Sequence, residues 1–382
     1  AAAGFFQKNL PQAESFLASR GYALTDKALT DFGVGYAPMG NQAMAELTKA
    51  GYSLELLQEV DVTGSNEGRT YDRFRDRLIF PFYDVQGNII GFSGRIITPK
   101  DGVGKYINTG ETPLFTKGKH IFGLYQARKA IGKQGFVYLA EGQFDVMTLH
   151  KMGVENVIGG SGTAFTDDQV KLLLRFTDSV VMVYDADAAG VKASLKNCEL
   201  LLKAGAKVKC IRLPKGTDPD EFAKANGSHT QEKLKELTEP FPKALKRMMV
   251  PHGCKDETII SDCLNTICSL IACVGDAGLR LEYIKSVSAD FKSRIGIIDE
   301  KVRSIRMKIM EALPKTKTQT GIFGIDALKE NLESDRPGIL TSVMQEFLDG
   351  YGEEPVIYVA GRPSGNDIQE LRRVYCYFVS SE

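Results

Sequence analysis

The sequence predicts an α/β chain, α+β overall: a parallel βαβ sheet flanked by a mixed α+β amino-terminal subdomain and a helical carboxyl-terminal subdomain. Three observations predict it. From residue 135 onward, short apolar runs alternate with helical patterns, ahead of that stretch two apolar runs bracket a turn, and from about 229 to 312 the pattern is helical throughout. Apolar strands joined by helices are the signature of parallel units buried on both faces.

Taken in order, residues 5–60 read as short helices. "PQAESFLASRGY" and "NQAMAELTKAGYSLELLQEV" carry apolar residues at helical spacing and are separated by the glycine-rich "DFGVGYAPMG". From 71 to 97 the pattern becomes β, with two strands in "RLIFPFYDVQGNIIGFSGRII" around the turn "DVQGN", which predicts an antiparallel hairpin. The βαβ stretch follows as "GFVYLAEG", a helix over 143–152, "VENVIGG", a helix over 166–175, "SVVMVYDAD", a helix over 188–204 and "KVKCIRLP". After the helical stretch, "KTKTQTG" reads as a linker, and "PVIYVAG" and "NDIQELRRVYCYF" read as a strand and a helix of another module. The expected divisions are therefore 1–134, 135–228, 229–312 and a tail of unknown role over 313–382.

A chain of 382 residues, 43% hydrophobic and 25% charged, suits a globular protein with sizeable cores. No apolar run approaches the roughly 20 residues that cross a bilayer, and the opening "AAAGFFQKNL" lacks the pattern of a signal peptide, so the expected location is the cytoplasm. The seven cysteines form no C-x-x-C pair, which argues against a zinc site or a disulfide framework. Lys+Arg and Asp+Glu both number 48, yet they are unevenly placed. From Arg69 to Lys133 there are twelve basic residues against five acidic ones, and from Gln134 to Gly190 eight acidic against three basic. A basic surface beside an acidic one suits a polyanion and a divalent cation respectively.

The acidic residues sit at expected strand ends in three pieces: "AEGQFD" with Glu141 and Asp145, "YDADAAG" with Asp185 and Asp187, and "GTDPDEF" with Asp218, Asp220 and Glu221. Singly, each is explained as a helix cap. Together, at one edge of a parallel sheet, they would repel strongly without a cation between them. Oxygen-only ligation favours a hard ion such as Mg²⁺ or Mn²⁺, and such ions serve phosphate chemistry. Strand alternation places Asp185 and Asp187 on one side.

The three pieces "AEGQFDVMTLHKMGVENVIGGSGTAFT", "VVMVYDADAAG" and "LPKGTDPDEF" resemble, in order and spacing, the topoisomerase–primase (TOPRIM) domain of bacterial DnaG-type primases. Upstream, "YDRFRDRLIFPFYDVQGNIIGFSGRI" and "KYINTGETPLFTKGKHIFGLYQA" resemble the amino-terminal half of the same primase core, and the likeness covers roughly residues 5–310. The resemblance implies a DNA-dependent RNA primase core, a nucleotidyltransferase that builds short primers on single-stranded DNA from NTPs, with a replicative helicase as partner. It implies an acidic Mg²⁺ or Mn²⁺ cluster of Glu141, Asp185, Asp187, Asp218 and Asp220, with Asp145 nearby and Glu141 either a ligand or the general base. Arg95, Lys105, Tyr106, Asn108 and Lys117 match the family's basic ridge and groove.

Arg73, Arg75 and Arg77 alternate along an expected strand, so they face one way and can track phosphates; alone, a solvated face salted by Asp72 and Asp76 is the plainer explanation, but the family resemblance implies nucleic-acid binding for some of them. Tyr106 is either a core aromatic or a stacking platform, and Gly160, Gly162 and Thr163 make either a tight turn or a phosphate contact. Family primases carry a zinc-binding domain ahead of the core, which this chain does not have, so it is expected to be a piece of a longer protein. The rival expectations are another TOPRIM enzyme, a nuclease or topoisomerase, and a non-catalytic single-stranded-DNA-binding module whose acids merely cap helices.

Overall fold

The computed structural model describes residues 1–160, 165–184, 188–214 and 216–312. Asp185, Asp187, Gly162, Thr163 and the expected module over 313–382 lie outside the described residues. The chain divides into Ala1–Met310 and Glu311–Glu382, and the architecture below is that of the first unit.

Its strands are β1 (Gly35–Ala37), β2 (Thr63–Asn66), β3 (Arg69–Asp72), β4 (Arg77–Tyr83), β5 (Ile89–Ile96), β6 (Tyr106–Asn108), β7 (Val137–Ala140), β8 (Val157–Gly159), β9 (Ser179–Tyr184), β10 (Lys207–Arg212) and β11 (Thr238–Pro240). Strands β1, β4, β5 and β6 form an antiparallel sheet in the order β1-β4-β5-β6, and β2 and β3 form a separate ribbon. The second sheet runs β11-β10-β9-β7-β8, parallel except at the β11 edge. The carboxyl ends of its four parallel strands therefore share one edge, where the three acidic motifs begin.

The β4–β5 hairpin forms as its sequence predicts. Asp84 closes the turn by accepting from the backbone N–H groups of Gln86, Gly87 and Asn88 at 2.8–2.9 Å, and Gly87 takes φ +100° where a Cβ would lie 2.5 Å from the Tyr125 ring. Gly94 in β5 is equally constrained: a Cβ there would meet the Phe74 ring at 2.6 Å and the Arg77 stem at 3.1 Å.

Period-two alternation divides the parallel strands between two cores. Val137, Leu139, Val180, Met182, Val208 and Cys210 pack with Leu201 of the helix Ala188–Lys203 and with Phe241, Ile267, Ile271 and Ile284 from the carboxyl-terminal helices. Tyr138, Ala140, Val181, Val183 and Ile211 face the other way, onto Leu78, Phe80 and Phe82 of β4 and Phe144 and Met147 of the helix Gln143–Lys151. Each buried aliphatic or aromatic side chain contributes about 1.5–3 kcal/mol, so both faces of the sheet are strongly held. A third core, around Phe6, Phe74, Ile79 and Phe92, fixes the far face of the antiparallel sheet against the amino-terminal helices.

Candidate functional site

Glu141 follows the last residue of β7, and Gly142 precedes the helix Gln143–Lys151. The Asp145 carboxylate turns back to accept the Gly142 N–H at 2.8 Å, fixing the turn that carries Glu141. Asp218 stands at the start of the helix Pro219–Asn226, where its carboxylate accepts the Glu221 N–H at 2.7 Å. It is thus a cap, as the plain reading of a lone Asp supposes. It also shares with Glu141 the wall of an open cavity of about 640 Å³. β9, which leads to Asp185, lies between β7 and β10.

The facing wall is cationic and comes from the antiparallel sheet. Arg95 and Tyr106 are cross-strand partners on β5 and β6, and Arg95 Nη1 donates to the Tyr106 hydroxyl at 3.2 Å. The Arg95 guanidinium lies 4.9 Å from the centroid of the Phe144 ring and 5.6 Å from that of Tyr106. Such aromatic flanking fixes a cation while leaving its positive field in place. Burial raises the Tyr106 pKa above its ordinary value, against the opposing pull of Arg95, so the phenol stays protonated. Tyr106 is therefore partly a packing residue, committed to Arg95 on the cavity wall. Asn108, Lys105 and Lys117 line the same cavity, and among the described residues neither lysine forms an ion pair.

Arg73, Arg75 and Arg77 do not form the expected row. β3 ends at Asp72 and β4 begins at Arg77; between them Asp76 takes φ +53°, so no continuous strand aligns the three side chains. Arg73 reaches the cavity, with Nε 3.2 Å from the Asp61 carboxylate and Nη2 donating to the Asn108 carbonyl at 3.4 Å. Arg75 is exposed, 5.1 Å from the Tyr71 ring centroid. Arg77 is only 4% exposed and donates to the carbonyls of Gly94, Gly104 and Lys105 at 2.9, 3.1 and 3.4 Å. It is a structural tie between β4 and the loop ahead of β6, and burial lowers its pKa. Nor do the flanking acids salt a solvated face: Asp72 accepts from the Ala43 and Met44 N–H groups at 2.8 Å, and Asp76 accepts from the Tyr36 hydroxyl at 3.0 Å.

Asp220 also departs from its expected place in an acidic cluster. It is 2% exposed, with one oxygen accepting from Thr148 at 2.5 Å and the other 2.6 Å from Lys224 Nζ and 3.3 Å from Arg20 Nη2. Two cations already compensate its charge, the role expected of a metal. Arg20, Gln143 and Phe144 line the cavity and were not singled out in the sequence. Arg20 lies in the helical lead-in, with no motif around it, and Gln143 and Phe144 stand within "AEGQFD" beside the acids that mark that motif.

Among the described residues no group of three or more His, Cys, Asp and Glu side chains is placed to hold a metal ion. Glu141 and Asp218 nevertheless supply carboxylate oxygens at the sheet edge where two further aspartates follow β9 in sequence. That all-oxygen donor chemistry fits a hard divalent cation rather than zinc.

A parallel sheet with acidic motifs at its strand ends, set beside a cation-lined antiparallel sheet, places the protein in the Toprim class. Family models agree: residues 138–223 match the Toprim-like model and residues 4–128 the DNA primase catalytic core, N-terminal domain. The DNA primase of Clostridium acetobutylicum is 39% identical over 241 residues, 62% of this chain but 39% of the relative, so the chain spans about two-fifths of that protein's length. The crystal structure of the Aquifex aeolicus primase zinc-binding and RNA polymerase domains superposes with a TM-score of 0.67 at 32% identity, covering 78% of this chain and 72% of that one. A DnaG primase catalytic domain bound to single-stranded DNA superposes with a TM-score of 0.63 at 28% identity, covering 76% and 93%. The chain belongs to the DnaG primase family. The Toprim domain of this family implies binding of a divalent metal.

Proposed function

We propose that the chain is the RNA-polymerising core of a DNA primase, making short RNA primers on single-stranded DNA in replication. One observation carries the reading: a single cavity has Arg95, Lys105 and Lys117 on one wall and Glu141 and Asp218 on the other. Polyanionic template and triphosphate need the first wall, and phosphoryl chemistry needs the second.

In this reading the 3′-hydroxyl of the growing primer loses its proton and its oxygen forms a bond to the α-phosphorus of an NTP, while the bond to pyrophosphate breaks. Glu141 and Asp218, with Asp185 and Asp187 outside the described residues, would hold Mg²⁺ or Mn²⁺. That ion, when bound, supplies the charge that acidifies the hydroxyl and offsets the negative charge growing on the phosphate. Glu141 serves as ligand or as proton acceptor. Lys105 and Lys117, unpaired among the described residues, hold phosphate oxygens, and Arg95 stays fixed between aromatic rings so that its field needs no reorganisation. Asn108 supplies a neutral polar contact on the same wall. Asp220 is assigned to positioning rather than to ligation.

The template would be single-stranded DNA, as in the DNA-bound relative. A replicative helicase partner and a place in the bacterial or phage host cytoplasm come with the family reading. No helix among the described residues is long and apolar enough to cross a membrane. Incubation with single-stranded DNA, labelled NTPs and Mg²⁺ or Mn²⁺ tests the proposal. Short RNA products are expected; nicked or relaxed DNA in their place would assign the cavity to a nuclease or topoisomerase of the same class.

A further inference from the structure

Behind the cavity lies a chain of buried hydroxyls that no motif announces. Tyr22 and Thr148 are 2% and 1% exposed, and their hydroxyl oxygens lie 2.5 Å apart. Thr148 Oγ1 is in turn 2.5 Å from Asp220 Oδ1. A threonine hydroxyl has one proton to give, and a carboxylate only accepts, so that proton goes to Asp220 and Tyr22 must donate to Thr148. Burial raises the Tyr22 pKa above its ordinary value and keeps the donor protonated.

The relay joins three segments. Tyr22 belongs to the lead-in, Thr148 to the helix that begins beside Glu141, and Asp220 to the helix that Asp218 caps. With Oδ1 held by Thr148, the other oxygen of Asp220 faces Lys224 and Arg20. Arg20 in turn lies 4.8 Å over the Phe144 ring on the cavity wall. The hydroxyl bond thus orients the carboxylate that orients the guanidinium.

We propose that Thr148 and Tyr22 are positioning residues: their hydroxyl relay aims Asp220 so that it holds Arg20 against the cavity, where Arg20 meets phosphate. The inference rests on the proposed function, since it assumes that the cavity binds polyanions. Lys151 ties the same turn separately, donating to the Gly21 carbonyl at 2.8 Å and to Asp26 at 2.7 Å.

Oligothymidylate affinity, and kcat and KM for an NTP, would be measured on Thr148→Val, Thr148→Ser, Arg20→Met and the Thr148→Val/Arg20→Met double variant. Thr148→Val keeps the shape and loses the proton; it should weaken oligothymidylate binding and raise the NTP KM roughly three- to tenfold with kcat little changed. Thr148→Ser should restore both. In the double variant the loss should equal that of Arg20→Met alone, because both substitutions disable one device. Additive losses, or wild-type binding by Thr148→Val, would overturn the relay and leave the proposed function standing. A wild-type protein that binds neither ligand would remove both. Should Thr148→Val fail to fold by circular dichroism, Thr148→Ala, which also deletes the proton that Asp220 accepts, makes the same comparison against Arg20→Met.

Discussion

The two sheets bring opposite charges to one cavity by different means. In the parallel sheet β7 and β8 are buried along their whole length, and the acidic residues of the cavity come after strands end, at Glu141 and Asp218. In the antiparallel sheet the cavity cation Arg95 sits within a strand, on the face that β5 and β6 turn toward the parallel domain. A loop after a parallel strand can carry a carboxylate without disturbing either core, because the strand's carboxyl edge opens outward. An in-strand arginine must instead be supported, and Phe144 and Tyr106 support Arg95. The acidic side is therefore built by topology and the basic side by packing.

That contrast sets a ranking of effects. Glu141→Gln should abolish primer synthesis, by about a thousandfold or more if the carboxylate acts in the reaction, while single-stranded DNA binding persists on the cationic wall. Parallel primer-extension and fluorescence-anisotropy measurements check it, and joint loss of both would merge the two sides. Arg77→Met should show the reverse weighting. Three backbone carbonyls lose their donor, and stability should fall by about 2–3 kcal/mol in a urea titration. Lys105→Ala should leave that unfolding curve in place, weaken single-stranded DNA binding several-fold, and reduce the salt slope by about 0.7 for each phosphate it no longer neutralises. A salt slope unchanged in Lys105→Ala would remove that lysine from the phosphate path.

Much of the fold was legible because apolar period and turn chemistry are local. The "DVQGN" hairpin appears as β4–β5 with Asp84 closing the turn, and the helices expected over 143–152, 166–175 and 188–204 appear as Gln143–Lys151, Asp167–Leu174 and Ala188–Lys203. Arg95, Lys105, Tyr106, Asn108 and Lys117 meet Glu141 and Asp218 in one cavity, although the sequence separates the two groups. The arginines from 73 to 77 were misread because alternation in sequence mimics a strand. A left-handed residue at Asp76 interrupts it, and nothing local announces that. Asp220 looked equivalent to Asp218, yet two cations from different segments claim it.

By itself the sequence determined the alternation of strand and helix, the order of the three acidic motifs and the basic stretch ahead of them, since each depends on residue type and short spacing. Only the tertiary structure decided which charges meet. Arg20 lies 200 positions from Asp220 and Thr148 lies 72 positions from it. Their association follows from how helices pack over the sheet, a long-range consequence of burying apolar faces that leaves no periodic trace in the chain.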